Sequence, residues 1–449
     1  MDRTTSMGDT ASGGWSRIID DILAGRWVNP ETGRPATVPH GRIVLSESLD
    51  GREADLVQAL ELGPGLTVVA DTQTWDAQGR QVAKALAALG PVETVILDHP
   101  KADQAHIAML TDRLADAEGI VAVGSGTIND LCKYVAARTG RRYGVFATAA
   151  SMNGYTSTTA SITLENGLKV SLPAAAPAGL FIDLSVSAAA PTHLAAAGFA
   201  DSIVRSVAQV DCWLAHRLLG APYSQAAFTL QEEDEAELLG RAGGLPRHDL
   251  PANGYLQRIL TLCGLGVALT GSTNHGSMGE HQISHYIDCF AGDRHPGTLH
   301  GQQVGVGVLT MARLQDAMLA SDGPPVLKAT HIDEADMARR MGDAIAAQCR
   351  RDIAPKIFGP AATEALNQRL AEIWPELRRE MDAFRIPTAE LERLLLAAGA
   401  PTTARDLGVP ADFYREATLH CREMRNRYSF LDLAADAGVL ADFAAGEAR

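Results

Sequence analysis

Residues 121–134 read VAVGSGTINDLCKY: an apolar strand, a tight glycine turn and the opening of a helix. Unsatisfied amides at such a helix start, together with the helix dipole, attract a phosphate. Gly124 and Gly126 lack the Cβ that would keep the backbone away from a pyrophosphate. The turn departs from the dinucleotide fingerprint, because the third glycine is absent and Asp130 follows Asn129. Taken alone, a Gly-x-Gly turn also fits an ordinary strand-to-helix connection.

Around this turn, short apolar runs alternate with amphipathic ones. Strands are expected at 41–46, 66–70, 93–97, 119–123 and 142–147. Helices are expected at 54–62, 77–89, 107–116 and 129–137. Continuous apolar strands separated by helices imply a parallel sheet covered on both faces. The 66–70 strand runs into Asp71, whose carboxylate can accept hydrogen bonds from a ribose. Here the acidic residue precedes the glycine turn instead of following it.

Beyond Pro191 the strand pattern fades. Ala- and Leu-rich helical periodicity occupies 193–219, 226–243, 255–270, 280–290, 302–320, 332–351, 361–382, 388–398 and 411–427. The expected organisation is an N-terminal extension over 1–40 with a short helix near 15–24. An α/β nucleotide-binding domain follows over 41–190, and an all-α domain over 191–449. The acidic stretch within 231–252 reads as a solvated insertion.

A chain of 449 residues accommodates two cores. Its net charge of −15 disfavours nucleic acid and anionic membrane surfaces as partners. An anionic substrate then needs a locally positive pocket. The six cysteines, Cys132, Cys212, Cys263, Cys289, Cys349 and Cys421, form no paired motif and read as reduced thiols of a cytoplasmic protein. Residues 1–14 have no apolar core of a signal peptide, and no run is long enough to span a membrane.

A second constellation lies in the helical half. Asp201 (AAGFADSIVRS), His281 (GSMGEHQISHYID) and His300 (GTLHGQQVGVG) offer one carboxylate and two imidazoles. Such a set holds a divalent ion and leaves positions open for substrate. Each residue alone also fits a cap or a packed core position, and spacing leaves His275, His285 and His295 as competing ligands. Glu280 precedes His281, so the pattern is not that of a zincin protease.

Taken in order, the motifs GSGTxxDxxK, TAASxxG, GFxD, GEH and HG resemble glycerol-1-phosphate dehydrogenases over residues 40–430. These belong to the superfamily of iron-containing alcohol dehydrogenases and dehydroquinate synthase. The resemblance implies a dehydroquinate synthase-like fold, an NAD or NADP cofactor and one divalent metal (zinc, with nickel or iron as alternatives). It implies Asp201, His281 and His300 as metal ligands. Gly124, Ser125, Gly126 and Thr127 become the pyrophosphate loop, with Asp71 and neighbouring Thr74 at the ribose. Thr148 and Ser151 fall beside the nicotinamide. Asp130 and Lys133 complete the loop-helix motif, with Lys133 facing cofactor or substrate. Ser157 and Lys169 fall where the pocket closes, and Arg205 is a further cationic candidate for a substrate phosphate. Asn153 stands where relatives carry Asp, near the substrate hydroxyls. Asn153, Lys133 and His285 are the catalytic candidates, and His285 is the one candidate acid.

The expected reaction interconverts dihydroxyacetone phosphate and sn-glycerol 1-phosphate, or a related polyol phosphate, as in phospholipid metabolism. The expected state is a homodimer with a small phosphorylated substrate. A cyclase on the same scaffold would need a cationic pocket, yet only Lys133, Lys169 and Lys328 lie between 102 and 330. A non-catalytic nucleotide-binding regulator is the remaining alternative. Asn153 favours it, and the intact Asp201, His281 and His300 set argues against it.

Overall fold

A computed structural model describes residues 15–447 and divides the chain into two compact units. The first holds residues up to 202 together with 224–273, and the second holds 203–223 and the residues from 274 onward.

The first unit is built on ten strands. They are β1 (Val28–Asn29), β2 (Arg34–Pro35), β3 (Arg42–Ser46), β4 (Leu66–Asp71), β5 (Val92–Leu97), β6 (Gly119–Gly124), β7 (Arg142–Ala147), β8 (Thr159–Thr163), β9 (Lys169–Pro173) and β10 (Gly179–Asp183). Six of them form one parallel sheet in the order β3-β10-β7-β6-β4-β5. Side chains alternate between its faces. Val69, Ile120, Ala122 and Val145 enter one core cluster with the helix Gln104–Arg113 and with α1 (Gly126–Thr139). Val68, Ala70, Val121 and Val123 enter the other, against the helices Glu53–Gln58 and Arg80–Leu86. From β4 the chain moves outward to β5, then returns past β4 to β6 and on to β7. The direction of winding therefore reverses between β4 and β6, where open α/β sheets bind their ligands at the strands' carboxyl ends. Asp71 and Gly124 end those two strands.

The parallel sheet and the helical remainder agree with the expected fold class, and two expectations need correction. β10 and the β8–β9 hairpin went unread between 148 and 190, although Asn166-Gly167 between the hairpin arms, with Gly167 at φ 85°, is turn chemistry of the hairpin kind. The 1–40 extension carries its short helix within the 15–24 stretch where one was expected. Its helix Ile18–Leu23 buries Ile19 and Ile22 in the sheet's core. The acidic stretch is not a solvated insertion. Residues Glu232–Arg241 are helical, with Gln231, Asp234, Glu235 and Leu238 buried at helical spacing. Asp234 pairs with buried Arg258 at 2.8 Å and accepts from Ser16 Oγ at 3.0 Å. Only Glu232, Glu233 and Glu237 of that cluster face solvent.

These contacts also explain why the first unit reaches past the expected boundary at residue 190. It keeps α2 (Thr192–Ser202) and, after a gap, α3 (Leu250–Thr270). α3 packs its Gly254 on Trp15, where an added Cβ would sit 2.8 Å from the indole. The helix expected over 193–219 is interrupted at residues 203–204.

The second unit is helical throughout its described residues. Arg205–Leu219 leads into it, followed by α4 (Gly279–Phe290), α5 (His300–Leu319) and, among the described residues, eight further α-helices. α4 and α5 lie close together because Gly307 carries no side chain: a Cβ there would fall 2.7 Å from the Glu280 carbonyl oxygen. Asp211, fully buried, anchors the start of α4. Its Oδ2 accepts from Gly279 N at 3.2 Å, and its Oδ1 accepts from Phe430 N at 3.0 Å. Burial pushes its carboxyl well above the usual range, with Glu280 adding to the effect. No helix of the described residues is long and apolar enough to cross a membrane.

Candidate functional site

The glycine turn sits where β6 gives way to α1. Ser125 is extended and makes no side-chain cap, so the first amides of α1 lack the partner that a capping side chain would supply. The two glycines serve different ends. A Cβ on Gly124 would meet Ile128 Cβ at 2.7 Å, so this glycine lets the helix close onto the strand. A Cβ on Gly126 would come 3.2 Å from Met152 Cγ, and so faces the 148–159 loop. Ser125, Gly126 and Thr127 are half-buried.

Asp71 caps the turn after β4. Its Oδ1 accepts from Gln73 N at 2.9 Å and Thr74 N at 2.8 Å, while Thr74 Oγ1 accepts from Asp71 N at 3.0 Å. This reciprocal capping box fixes the carboxylate at the strand end. Thr148 is tied to the turn, its N–H donating to the Gly124 carbonyl at 3.2 Å. Ser151 is half-buried in the same loop.

The structure brings Lys133, Asp130 and Ser157 together beneath the 148–159 loop. Lys133 points into the loop that follows β7. Its side chain is wholly buried, and Nζ donates to Gly154 O, to Ser157 Oγ at 3.1 Å and to Thr159 O at 3.1 Å. Burial draws the ammonium down to about 8, against the opposing pull of Asp130. Asp130 lies 3.9 Å from that nitrogen and accepts from Ser161 N at 3.1 Å. Burial raises its carboxyl, with Lys133 opposing. The Ser157 hydroxyl is spent on Lys133 and on the carbonyls of Gly154 and Thr159. All three residues make hydrogen bonds that shape the loop. Lys169 opens β9, and Arg205 shares its guanidinium with Gln209 Oε1 at 3.1 Å.

Asp201, His281 and His300 each offer one ligand atom, and these atoms lie within 4.8 Å of one another. The surroundings of each suit a cation. Asp201 Oδ2 accepts from Asn153 N at 2.9 Å. His281 Nδ1 meets Glu280 Oε1 at 2.9 Å. His300 Nδ1 meets Ser284 Oγ at 2.9 Å. Each imidazole thus has Nδ1 engaged by a polar partner, which favours Nε2 as the ligand atom. One carboxylate and two oriented imidazoles are the donor chemistry of a divalent transition ion. His285 stands beside the pair, its ring centroid 5.9 Å from that of His281 and 5.2 Å from that of His300. The competing His295 instead pairs with Asp288 at 3.1 Å.

Sequence reasoning missed the supporting shell. Glu280, Ser284 and Gln303 are each fully buried. Glu280 Oε1 also accepts from Met278 N at 2.6 Å, and Ser284 Oγ donates to Gln303 Oε1 at 2.9 Å. A buried Glu one residue before a His gives no periodic signal. The i,i+3 spacing of His281 and Ser284 was legible, but the partners of Ser284, His300 and Gln303, lie on another helix. Asn153, expected to act through its side chain, contributes a backbone amide.

Comparison with known proteins places this chain among dehydrogenases. The family described as iron-containing alcohol dehydrogenase matches residues 44–191. A glycerol-1-phosphate dehydrogenase (NAD(P)+) of Methanoculleus marisnigri is 33% identical over 271 residues, covering 60% of this chain and 74% of its own length. The same-named protein of Bacillus velezensis is 26% identical over 377 residues, covering 82% and 84%. The crystal structure of a probable glycerol dehydrogenase from Sinorhizobium meliloti matches with a TM-score of 0.55 at 20% identity, over 90% of this chain and 96% of that one. This last likeness is one of fold.

Proposed function

We propose a reaction for this chain, which belongs to the glycerol-1-phosphate dehydrogenase family of iron-containing alcohol dehydrogenases: it interconverts dihydroxyacetone phosphate and sn-glycerol 1-phosphate. The chain is a metal-dependent, NAD(P)-linked oxidoreductase. In the reducing direction, ketone, NAD(P)H and one proton yield alcohol and NAD(P)+. When bound, the nicotinamide supplies the hydride and the divalent cation supplies Lewis acidity at the substrate oxygen.

The chain's own residues prepare the site. Asp201, His281 and His300 would hold the ion. Glu280 and Ser284 fix the ring planes of the two imidazoles through Nδ1, and the Asn153 amide fixes Asp201 through Oδ2. The amides of Ser125, Gly126 and Thr127 are assigned to the cofactor pyrophosphate, Asp71 with Thr74 to its ribose, and Thr148 with Ser151 to the nicotinamide side. A carboxylate at Asp71 disfavours a 2′-phosphate, so NAD is the preferred cofactor. The proton taken up at the carbonyl oxygen is assigned to His285. Lys169 and Arg205 are the cations assigned to the substrate phosphate. The reading carries a cytoplasmic location, supported by the six free cysteines, and a homodimeric state, which sedimentation would test.

The convergence of three ligand atoms within 4.8 Å carries this reading. Chelator-stripped protein, checked by elemental analysis, should lose turnover of dihydroxyacetone phosphate and regain it with zinc, nickel or iron. Full activity in a metal-free sample, or substrate conversion without net NAD(P)H consumption, would overturn it.

A further inference from the structure

We propose that Lys133 is a positioning residue for the metal centre: its ammonium holds residues 154–159 in the one shape that presents the Asn153 N–H to Asp201. The inference rests on the reading of Asp201 as a metal ligand.

An ammonium has three donors, and Lys133 places them on Gly154 O, Ser157 Oγ and Thr159 O. Its side chain has no exposed surface, and its counter-charge, Asp130, is 3.9 Å away. Burying a charge at such separation is costly. The cost goes into a loop that contains no strand or helix of its own between β7 and β8.

Further contacts pin the same loop. His40 Nε2 meets Thr156 O at 2.9 Å, Thr156 Oγ1 donates to Thr261 O at 2.7 Å, and Tyr155 OH donates to Ala149 O at 2.9 Å. A Cβ on Gly264 would fall 2.9 Å from Ser157 N and 3.1 Å from Asn153 O, so α3 presses directly on the loop backbone. Asn153 immediately precedes Gly154, the first residue Lys133 grips. Its N–H reaches Asp201 Oδ2 at 2.9 Å. Release of the ammonium frees the peptide that orients the carboxylate ligand, while the Gly124–Thr127 turn, two helical turns away on α1, keeps its own strand and helix contacts.

The test compares Lys133→Met and Asp201→Ala in the full chain. Zinc affinity is measured by competition with a chromogenic chelator well below the melting temperature, and NADH affinity by fluorescence. Asp201→Ala should lose stoichiometric zinc; if it keeps zinc, the metal reading itself fails. With that control satisfied, Lys133→Met should bind zinc about tenfold more weakly, the scale on which outer-shell partners act, with NADH affinity unchanged. Unchanged zinc affinity alongside a lower melting temperature would show Lys133 to be structural only and overturn the inference. If Lys133→Met does not fold, Ser157→Ala removes one acceptor and decides the matter: zinc binding weakened severalfold supports the inference, and unaltered zinc binding overturns it.

Discussion

Glu280 Oε1 lies 2.9 Å from Nδ1 of the adjacent His281, and both side chains are buried at the start of α4. Neighbours on a helix point about 100° apart, so their side chains do not meet by helical geometry alone. They meet here because Glu280 turns back to the helix start, where Met278 N also donates to its Oε1. The carboxylate thereby fixes the tautomer of His281 and raises its basicity as a ligand.

Glu280→Gln keeps the shape and removes the charge. Zinc affinity should fall by about 10–100-fold while NADH binding is retained. Chelator competition and fluorescence titration give the two readouts, and parallel losses in both would argue against a local effect at His281.

Ser284→Ala should act more gently. It removes a neutral partner of His300 and of Gln303, both on α5. Each such hydrogen bond contributes about 0.5–1.5 kcal/mol, so zinc affinity should weaken less than in Glu280→Gln. The reverse order would mean that His300, not His281, depends more on its outer partner.

Gly198→Ala tests the packing of α2 on the metal-side loop. An added Cβ would overlap the Ala150 carbonyl oxygen and lie 2.7 Å from its carbon. Both groups are backbone and have little room to yield, so urea unfolding should show destabilisation of about 3 kcal/mol, at the upper end of overpacking effects. A loss below about 1 kcal/mol would indicate that the loop shifts freely, contrary to its many pins.

His40 should give the protein an acid-sensitive loop. Burial lowers its imidazole from 6.5 to about 4, the Thr156 carbonyl opposing and Lys133 adding to the shift. The unfolded chain takes up a proton below pH 6.5, whereas the folded one resists until about pH 4. The contribution is therefore complete above pH 6.5 and fades as pH falls towards 4, by about 3 kcal/mol. His40→Gln should flatten that part of the stability-versus-pH curve; an identical slope in the variant would place the sensitivity elsewhere.

The sequence by itself determined the alternation of strand and helix around residues 121–134, the glycine turn, and the metal-ligating residue types at 201, 281 and 300. These follow from local rules: apolar runs bounded by turns make buried parallel strands, and few residue types can ligate a cation. Tertiary structure alone decided which side chains support the site. The motif of Lys133 lies beside the glycine turn, and only the fold shows its ammonium buried under a loop some twenty residues onward. Ser284 gained its role only when α5 docked on α4, Glu280 when its carboxylate turned back to the start of α4, and Asp234 ceased to be a surface charge only when Arg258 and Ser16 closed around it. Contacts across long chain separations have no period in the sequence, so packing had to reveal them.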